Sequence, residues 1–356
     1  MTMVAPEAPL LRPPPARLLD AGDTAPIVHA LDHIGRPFAS GADALAGKPI
    51  LLLFCPALDE TSLGIFRALT AEAVLVAISR HGVAENAAVQ AHYSLPFAIL
   101  ADTRADIFKG YGVDPYPAAP SFTLFILDAG HRVARVLERM EPAAMVAEAL
   151  AELRRLGASR PVVRLQAHPP VLVLPRMLSR DDCDFLAATW HRDVPEYPTD
   201  GFTNAGTRRE TGDFKAVHDG GYGKAVEYIV QDEALQRFID GRLRRRLLPE
   251  IRKAFQATGL QREGYRIAGY EARDGAFLNP HRDNSIPSNA KRLFTMTVNL
   301  NAGEYEGGEL RFREYGEQLY AVERGTAIVW SASLLHEVLP VTKGRRLVLG
   351  VHLFGS

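Results

Sequence analysis

Three residues in the last quarter of the sequence have types and spacing suited to holding a metal ion. His281 and Asp283 form a His-x-Asp triplet, and His336 follows 53 residues after Asp283. In a strand, residues i and i+2 point to the same side, so His281 and Asp283 could converge on one ion. Two imidazoles and one carboxylate on one face of an octahedron bind non-haem Fe(II) and leave three coordination positions open. The pattern therefore predicts an iron site.

A second His-x-Asp triplet, at 191–193, lies in a different local context. It closes a stretch that begins near Asp182 and has the periodicity of a helix. On a helix, residues i and i+2 point about 200° apart and cannot bind one ion. The triplet that contains His281 instead lies next to two strand-like runs, 265–271 and 291–300. Position along the chain, rather than the triplet itself, separates the two.

A cation follows the second histidine at a spacing that suits a co-substrate anchor. Arg346 lies ten residues after His336, and the turn-like segment 342–344 between them predicts a hairpin. A guanidinium across such a hairpin can bind a carboxylate through two parallel hydrogen bonds. Arg345 should point to the opposite face of the strand. This arrangement predicts a place for a dicarboxylate whose other end chelates iron.

Three segments of the C-terminal half resemble the 2-oxoglutarate/Fe(II)-dependent oxygenases of the prolyl 4-hydroxylase-like group. They are FLNPHRDN at 277–284, EYEGGELRF at 304–312 and LLHEVLPVTKGRR at 334–346. The resemblance extends over about residues 165–356. It implies a double-stranded β-helix, or jelly roll, with flanking helices, and a dioxygenase that hydroxylates its substrate.

The same resemblance assigns roles to individual residues. It implies that His281, Asp283 and His336 bind Fe(II) and that Arg346 binds the C5 carboxylate of 2-oxoglutarate. It leaves ascorbate open as a further cofactor. Collagen-type members generally have lysine at the position of Arg346, so a prolyl substrate is not implied.

Two further strands supply residues for the oxoacid pocket. In TMTVNL at 295–300, alternation places Thr295, Thr297 and Asn299 on one face, and a polar face suits an oxoacid. Tyr270 resembles the tyrosine that often bonds to the oxoacid in this family. Ordinary sheet packing or solvent exposure is the alternative for Tyr270 and Asn299.

The N-terminal part has the pattern of an α/β domain. Apolar runs at 50–54, 74–78 and 122–127 predict strands in a sheet that is covered on both faces. The segment 142–156 predicts a helix with proline at its start. In contrast, the chain after Gly264 contains short strand-like runs, which predict a sandwich or barrel.

Residues 17–157 resemble the peroxiredoxin branch of the thioredoxin-like fold, and residues 161–356 form the predicted oxygenase domain. The matching segments are AGDTAP at 21–26, FCP at 54–56, YGV at 111–113 and FILDAG at 125–130. Leu63 stands where the resemblance places the peroxidatic cysteine, and Cys55 lacks a C-x-x-C partner. We therefore expect a scaffold, docking or dimerisation module, with a homodimer as one form.

Composition narrows the function classes. The 356 residues are 47% hydrophobic and 23% charged, with a net charge of −1, which argues against disordered, membrane-spanning and nucleic-acid-binding proteins. Only two cysteines occur, and the N-terminus lacks the apolar core of a signal peptide, so we expect a cytoplasmic protein.

Other interpretations and the substrate stay open. The chain could be a thiol-dependent redox protein that uses Cys55, or a non-catalytic protein whose triad holds zinc or nothing. The substrate could be a small molecule or a protein side chain, and the Gly- and Thr-rich segment 197–223 is the predicted lid. The arginine-rich run 242–246 is predicted to be a solvated helix face.

Overall fold

A computed structural model of the protein describes residues 13–14, 17–56, 63–118, 121–157, 164, 167–194, 207–209, 212–219 and 223–355. The chain forms two compact units that divide between Val163 and Arg164. Most of the predicted linker at 157–160 and much of the predicted lid at 197–223 lie outside the described residues. None of the described helices is long and apolar enough to cross a membrane.

The N-terminal unit contains a seven-stranded sheet. Its strands are β1 (His29–Asp32), β2 (Pro37–Ala39), β3 (Ile50–Cys55), β4 (Val74–Ser79), β5 (Ala98–Ala101), β6 (Thr123–Leu127) and β7 (Val133–Glu138). Its α-helices are α1 (Val83–Tyr93), α2 (Asp106–Gly110) and α3 (Pro142–Gly157), and 3₁₀ turns occur at Asp43–Leu45 and Gly64–Ala71. The strand order is β2-β1-β5-β4-β3-β6-β7, with β3, β4 and β5 parallel. The predicted α/β class of this unit is confirmed.

The position of β3 in the middle of the sheet explains why its sequence contains no polar residue. All six of its residues are buried. Leu51 and Leu53 pack in the core on one face of the sheet, whereas Ile50, Leu52 and Phe54 pack in the core on the other face. Because successive side chains of a strand alternate between faces, a strand between two apolar layers must be apolar throughout.

The C-terminal unit is built from antiparallel strands. They are β8 (Leu172–Leu174), β9 (Thr207–Arg209), β10 (Gly212–Asp219), β11 (Gly223–Val230), β12 (Leu260–Arg262), β13 (Arg266–Glu271), β14 (Leu278–His281), β15 (Arg292–Asn299), β16 (Glu306–Gly307), β17 (Leu310–Arg311), β18 (Leu319–Tyr320), β19 (Ala327–Ser331), β20 (His336–Val338), β21 (Val341–Lys343) and β22 (Arg345–Gly355). The longest path of paired strands is β18-β17-β20-β14-β11-β13-β22-β15-β19-β8. The predicted jelly-roll class is confirmed.

Helices flank this sheet. They are α4 (Arg180–Asp193), α5 (Glu233–Arg242) and α6 (Leu248–Phe255), with a π-helical turn at Leu243–Leu247 between the last two and 3₁₀ turns at Ala272–Asp274 and Arg313–Tyr315. Ser179 caps α4: its Oγ accepts a hydrogen bond from the Asp182 amide at 3.0 Å, and the Asp182 carboxylate accepts one from the Ser179 amide at 3.1 Å. These two reciprocal hydrogen bonds form a capping box at the start of α4.

The hairpin predicted between His336 and Arg346 is wrong. The strand β20, which begins at His336, pairs with β14 and β17, whereas β22, which carries Arg346, pairs with β13 and β15. Between them β21 pairs with β16, and the chain turns at Gly344 with a φ of +69°. A Cβ at this glycine would lie 2.6 Å from the carbonyl oxygen of Glu304. The ten-residue spacing therefore spans two changes of partner strand.

The predicted solvated face of the arginine-rich run is wrong for two of its arginines, whereas Arg244 is exposed. Arg242 and Arg246 are buried, because they face the carboxylate of Asp182 at the start of α4. Arg242 donates two hydrogen bonds to Asp182, at 2.8 and 2.9 Å, and Arg246 Nη1 lies 3.5 Å from the same carboxylate. The i, i+4 spacing places both cations on one side of the helix, and a buried carboxylate compensates their charge.

A substitution at Gly269 tests how closely β13 packs against α4, because this glycine lies against the ring of Trp190. A Cβ at Gly269 would lie 2.5 Å from the indole ring of Trp190, which is buried. We expect Gly269→Ala to lower the free energy of unfolding by about 1–3 kcal/mol, measured by urea denaturation. Gly241→Ala on α5 is the control, because its Cβ would meet no atom within 4 Å and alanine favours a helix. Equal stability of the two variants would contradict the packing.

Candidate metal centre and co-substrate cavity

The structure brings His281, Asp283 and His336 together. One ligand atom from each residue can be chosen so that all three lie within 4.8 Å of one another. His281 Nε2 lies 3.6 Å from Asp283 Oδ1, and His336 Nε2 lies 3.4 Å from Asp283 Oδ2. His281 and His336 are directly opposite each other in the β14–β20 pair. Asp283 follows just beyond the end of β14, where its amide donates a hydrogen bond to the carbonyl of Ala332 at 2.9 Å.

Both imidazoles are oriented by the backbone. His281 Nδ1 lies 2.7 Å from the carbonyl oxygen of Asn279, and His336 Nδ1 lies 2.9 Å from that of Leu334. A carbonyl can only accept, so each Nδ1 must carry the proton and donate it. The lone pair of each Nε2 then faces the carboxylate of Asp283. This is the tautomer that a metal ligand requires.

A chain of hydrogen bonds supports the carboxylate of Asp283. Thr295 Oγ1 donates to Asp283 Oδ2 at 2.6 Å and lies 3.0 Å from Nδ1 of His352. Because the hydroxyl has one proton, His352 must donate to Thr295. Burial lowers the pKa of His352 to about 4, which keeps this imidazole neutral at pH 7. The order of donation is therefore His352 to Thr295 to Asp283.

The protonation states of the triad suit a cation. Burial opposes the charge of Asp283, but the interactions with His281, His336 and His352 outweigh burial and lower the pKa of the carboxyl. Burial lowers the pKa of His336. One ionised carboxylate and a neutral imidazole are thus ready to bind a metal ion.

Arg346 lies in the same cavity as the triad. The cavity has a volume of about 250 Å³, and His281, Asp283, His336, Tyr270 and Arg346 are among the residues that line it. Arg346 is 7% exposed, and its Nη1 atom has no hydrogen-bond partner among the described residues. A buried donor without a partner is costly, so this guanidinium is suited to an anionic ligand.

The neighbours of Arg346 hold its side chain in place. Tyr270 is opposite Arg346 in the β13–β22 pair, and the guanidinium carbon lies 5.2 Å from the centre of the tyrosine ring. Gly308, in the glycine pair of the 304–312 motif, packs beneath the arginine: a Cβ there would lie 2.8 Å from Arg346 Cδ. The second glycine of that motif therefore makes room for the arginine stem.

Of the three predicted polar residues on β15, Thr295 and Thr297 line the triad cavity. Asn299 lines a neighbouring cavity of about 280 Å³, which also reaches Thr297 and Arg346. Its side-chain amide donates hydrogen bonds to the hydroxyl of Tyr305 and, at 3.3 Å, to the carbonyl of Val322. Asn299 thus lines the cavity next to the triad cavity, and its contact with the oxoacid stays a prediction.

Sequence reasoning missed several residues of the cavity. Thr295 was noted only for its alternation, and His352 was assigned no role, although both support Asp283. Glu227 and Arg266 line the cavity, yet neither lies in a recognisable motif. Only the alternation of side chains along β22, which places His352 on the same face as Arg346, could have indicated one of them.

The second His-x-Asp triplet and Arg345 lie outside the triad cavity. The 191–193 triplet ends α4, where Asp193 accepts two hydrogen bonds from Arg192 and one from Tyr228. Arg345 forms an ion pair with Glu271, on the face of β22 opposite Arg346.

Both thiols of the chain are buried. Burial raises the pKa of Cys55 well above its ordinary value and that of Cys183 to about 12. A thiol that stays protonated is a poor nucleophile. Leu63, at the position of the absent peroxidatic cysteine, is also fully buried.

Thr295 provides a test of the support for Asp283. We expect Thr295→Val to weaken binding of Fe(II) by roughly 10- to 100-fold, because the carboxylate loses its hydrogen-bond donor while the side-chain volume is kept. Anaerobic titration of the apoprotein with Fe(II) measures this affinity. Thr295→Ser, which retains the hydroxyl, should bind Fe(II) like the parent protein. Unchanged affinity in the valine variant would contradict the assigned role.

Comparison with known proteins agrees with this geometry. Residues 265–353 match the model of the 2OG-Fe(II) oxygenase superfamily. A PKHD-type hydroxylase of Alteromonas mediterranea is 35% identical over 111 residues, which are 31% of this chain and 44% of that protein. A PKHD-type hydroxylase of Saccharophagus degradans is 40% identical over 81 residues, which are 20% of this chain and 36% of that protein. The chain thus spans less than half the length of these relatives.

Solved structures resemble each half of the chain. A prolyl-4-hydroxylase from Pseudomonas putida aligns with 53% of this chain and 94% of its own, at 22% identity and a TM-score of 0.40. Peroxidoxin BcpB from Mycobacterium tuberculosis aligns with 39% of this chain and 98% of its own, at 24% identity and a TM-score of 0.36. The superfamily match, which includes all three triad residues and Arg346, shows that the C-terminal part of the chain contains a 2OG-Fe(II) oxygenase domain.

Proposed function

We propose that the protein is an Fe(II)- and 2-oxoglutarate-dependent dioxygenase that hydroxylates its substrate. One observation carries the proposal: three ligand atoms within 4.8 Å share a cavity with a buried guanidinium that has an unpaired donor. A metal site alone would fit zinc or a structural ion. The unpaired donor of Arg346 adds a second requirement, an anion held beside the metal, and a chelating dicarboxylate meets both.

The residues present fit iron and the oxoacid. His281, Asp283 and His336 would hold Fe(II) with two nitrogens and one oxygen, which leaves positions for a chelating ligand and O2. When bound, iron supplies the activation of O2 through which 2-oxoglutarate, O2 and a substrate C–H bond become succinate, CO2 and an alcohol. Arg346 would hold the distal carboxylate, with Tyr270 beside it.

Apolar side chains would keep water out of the cavity. Leu310, Trp330 and Val338 line it on the side of the distal histidine, and the Trp330 ring lies 4.9 Å from the ring of His336. Excluding water strengthens the electrostatic contacts of the bound oxoacid and limits side reactions. The protein's contribution is thus to bind, orient and shield reactants whose chemistry the metal supplies.

We infer that the N-terminal unit serves as a scaffold, docking or dimerisation module rather than as a thiol catalyst. Cys55 is fully buried, and its hydrogen donor is directed to the carbonyl of Leu53 at 3.5 Å. A peroxidatic thiol instead needs an accessible thiolate. The unit contains a complete seven-stranded sheet, but its described residues include no accessible thiol.

Succinate formation tests the proposed reaction. We expect the protein, reconstituted anaerobically with Fe(II) and then supplied with O2, to convert 2-oxoglutarate to succinate. His281→Ala should lose this turnover, because one metal ligand is removed, whereas Cys55→Ser should retain it. Loss of activity in the cysteine variant with full activity in the histidine variant would instead support a thiol-dependent protein.

Arg346 tests the co-substrate anchor. We expect Arg346→Ala to weaken 2-oxoglutarate binding by an amount equivalent to about 2–5 kcal/mol, because the carboxylate loses its buried charge partner. Calorimetric titration of the anaerobic Fe(II) protein measures this affinity. Arg345→Ala is the matched control: the adjacent arginine lies on the other face of β22, so oxoacid binding should stay unchanged. Similar 2-oxoglutarate affinities in the two variants would contradict the assignment of Arg346 as the anchor.

A further inference from the structure

The triad cavity contains a second guanidinium that makes no hydrogen bond with any described residue. Arg266 lies on β13 and lines the cavity, and its side chain is 25% exposed. Its nearest carboxylates are Glu227, 3.6 Å from Nη1, and Glu263, 3.9 Å from Nη2. The Nε atom is buried and has no partner in the described part of the chain. This arginine is therefore poorly satisfied by the protein itself.

A neighbouring arginine shows the contrast. Arg292 also lines the cavity, but it donates two hydrogen bonds to Glu263, at 2.7 and 2.8 Å, and one to the carbonyl of Asp283 at 3.0 Å. Glu263 is thus already committed to Arg292. Glu227 is the remaining counter-charge for Arg266, and it accepts no hydrogen bond from the described residues.

The backbone holds Arg266 over the cavity. In the β13–β22 pair Arg266 is opposite Gly350, and a Cβ at this glycine would lie 3.3 Å from Arg266 Cγ. The arginine stem therefore lies across the glycine, where a larger residue would crowd it. Arg266, Ala268 and Tyr270 alternate along β13, and all three line the cavity.

Arg266 and Arg346 extend from different positions along the paired strands β13 and β22. Arg346 is opposite Tyr270, four residues along β13 from Arg266, which corresponds to about 13 Å between backbone positions. The oxoacid bound at Arg346 therefore leaves the Arg266 end for a different molecule. The cavity volume of about 250 Å³ is below the roughly 300–1,000 Å³ typical of ligand sites, so that molecule must be small.

We propose that Arg266 and Glu227 bind the carboxylate and the ammonium group of a small zwitterion, so that the substrate is a free α-amino acid. The two side chains present opposite charges 3.6 Å apart on one wall, and both are partly open to the cavity. A neutral ligand would make no charged contact with this ion pair, and an ion of one sign would be attracted by one side chain and repelled by the other. That the bound amino acid is hydroxylated rests on the proposed dioxygenase function, whereas its binding does not.

Calorimetry with the full-length protein tests the assignment. The probes are the standard L-amino acids, followed for those that bind by their carboxamide and N-acetyl derivatives, each with and without Fe(II) and 2-oxoglutarate under anaerobic conditions. We expect at least one free amino acid to bind, and each derivative to bind at least roughly tenfold more weakly, because one charged contact is lost.

Two variants connect each charged group to its residue. Arg266→Gln should bind the free acid and its carboxamide about equally, and Glu227→Gln should bind the free amine and its N-acetyl derivative about equally. General damage to the fold would weaken the binding of all ligands alike and leave the affinity ratios between free compound and derivative at their wild-type values. Arg237→Gln is the control, because it removes an exposed ion pair with Glu233 on α5, and it should keep the wild-type ratios.

The outcomes separate this proposal from the proposed reaction. If no free amino acid binds, or if the ratios persist in both variants, the zwitterion site is overturned. If amino acids bind with the expected ratios but the wild-type protein forms no succinate, the zwitterion site is supported and the proposed dioxygenase function is contradicted. Succinate formation that is stimulated only by compounds lacking one of the two charges keeps the dioxygenase function and overturns the zwitterion site.

Discussion

The pairing of β22 between β13 and β15 is the constraint on which the candidate site depends. Backbone hydrogen bonds on both edges set its register, which places Arg346 opposite Tyr270 and His352 opposite Thr295. One strand thereby carries the guanidinium at one end of the cavity and the last member of the hydrogen-bond chain to the metal site at the other. A slip by one residue would turn Arg345 inward and remove both groups from the cavity.

The hydrogen-bond partners of four arginines in the C-terminal unit distinguish structural cations from cations that are suited to binding a ligand. Arg242 and Arg246 converge on the buried Asp182, so their charges are compensated within the fold. Arg346 and Arg266 line a cavity, and neither has its donors fully bonded by described residues. Because burying an incompletely bonded cation costs free energy, such positions are expected where a ligand completes the bonding.

The N-terminal unit owes its stability to apolar packing on both faces of its sheet. Its sheet is stabilised by two apolar cores, one on each face, to which Leu51 and Phe54 of β3 belong. The thiol of Cys55 packs within one of these cores as an apolar group. Stability therefore depends on the burial of apolar surface and places no requirement on a reactive cysteine.

The sequence by itself determined the two fold classes, the three proposed metal ligands and the arginine of the proposed anchor, because these depend on local periodicity and on motifs at fixed spacing. The strands of the first unit followed from continuous apolar runs, and the helix predicted at 142–156 followed from helical period and an initial proline. Only the tertiary structure decided the pairing partners of His336 and Arg346, the cavity that Asn299 lines and the burial of Arg242 and Arg246. It also decided that Arg266 and Glu227 meet on one wall of the cavity. Each of these depends on contacts between segments distant in sequence, where strand register and the location of a compensating charge leave no local pattern to read.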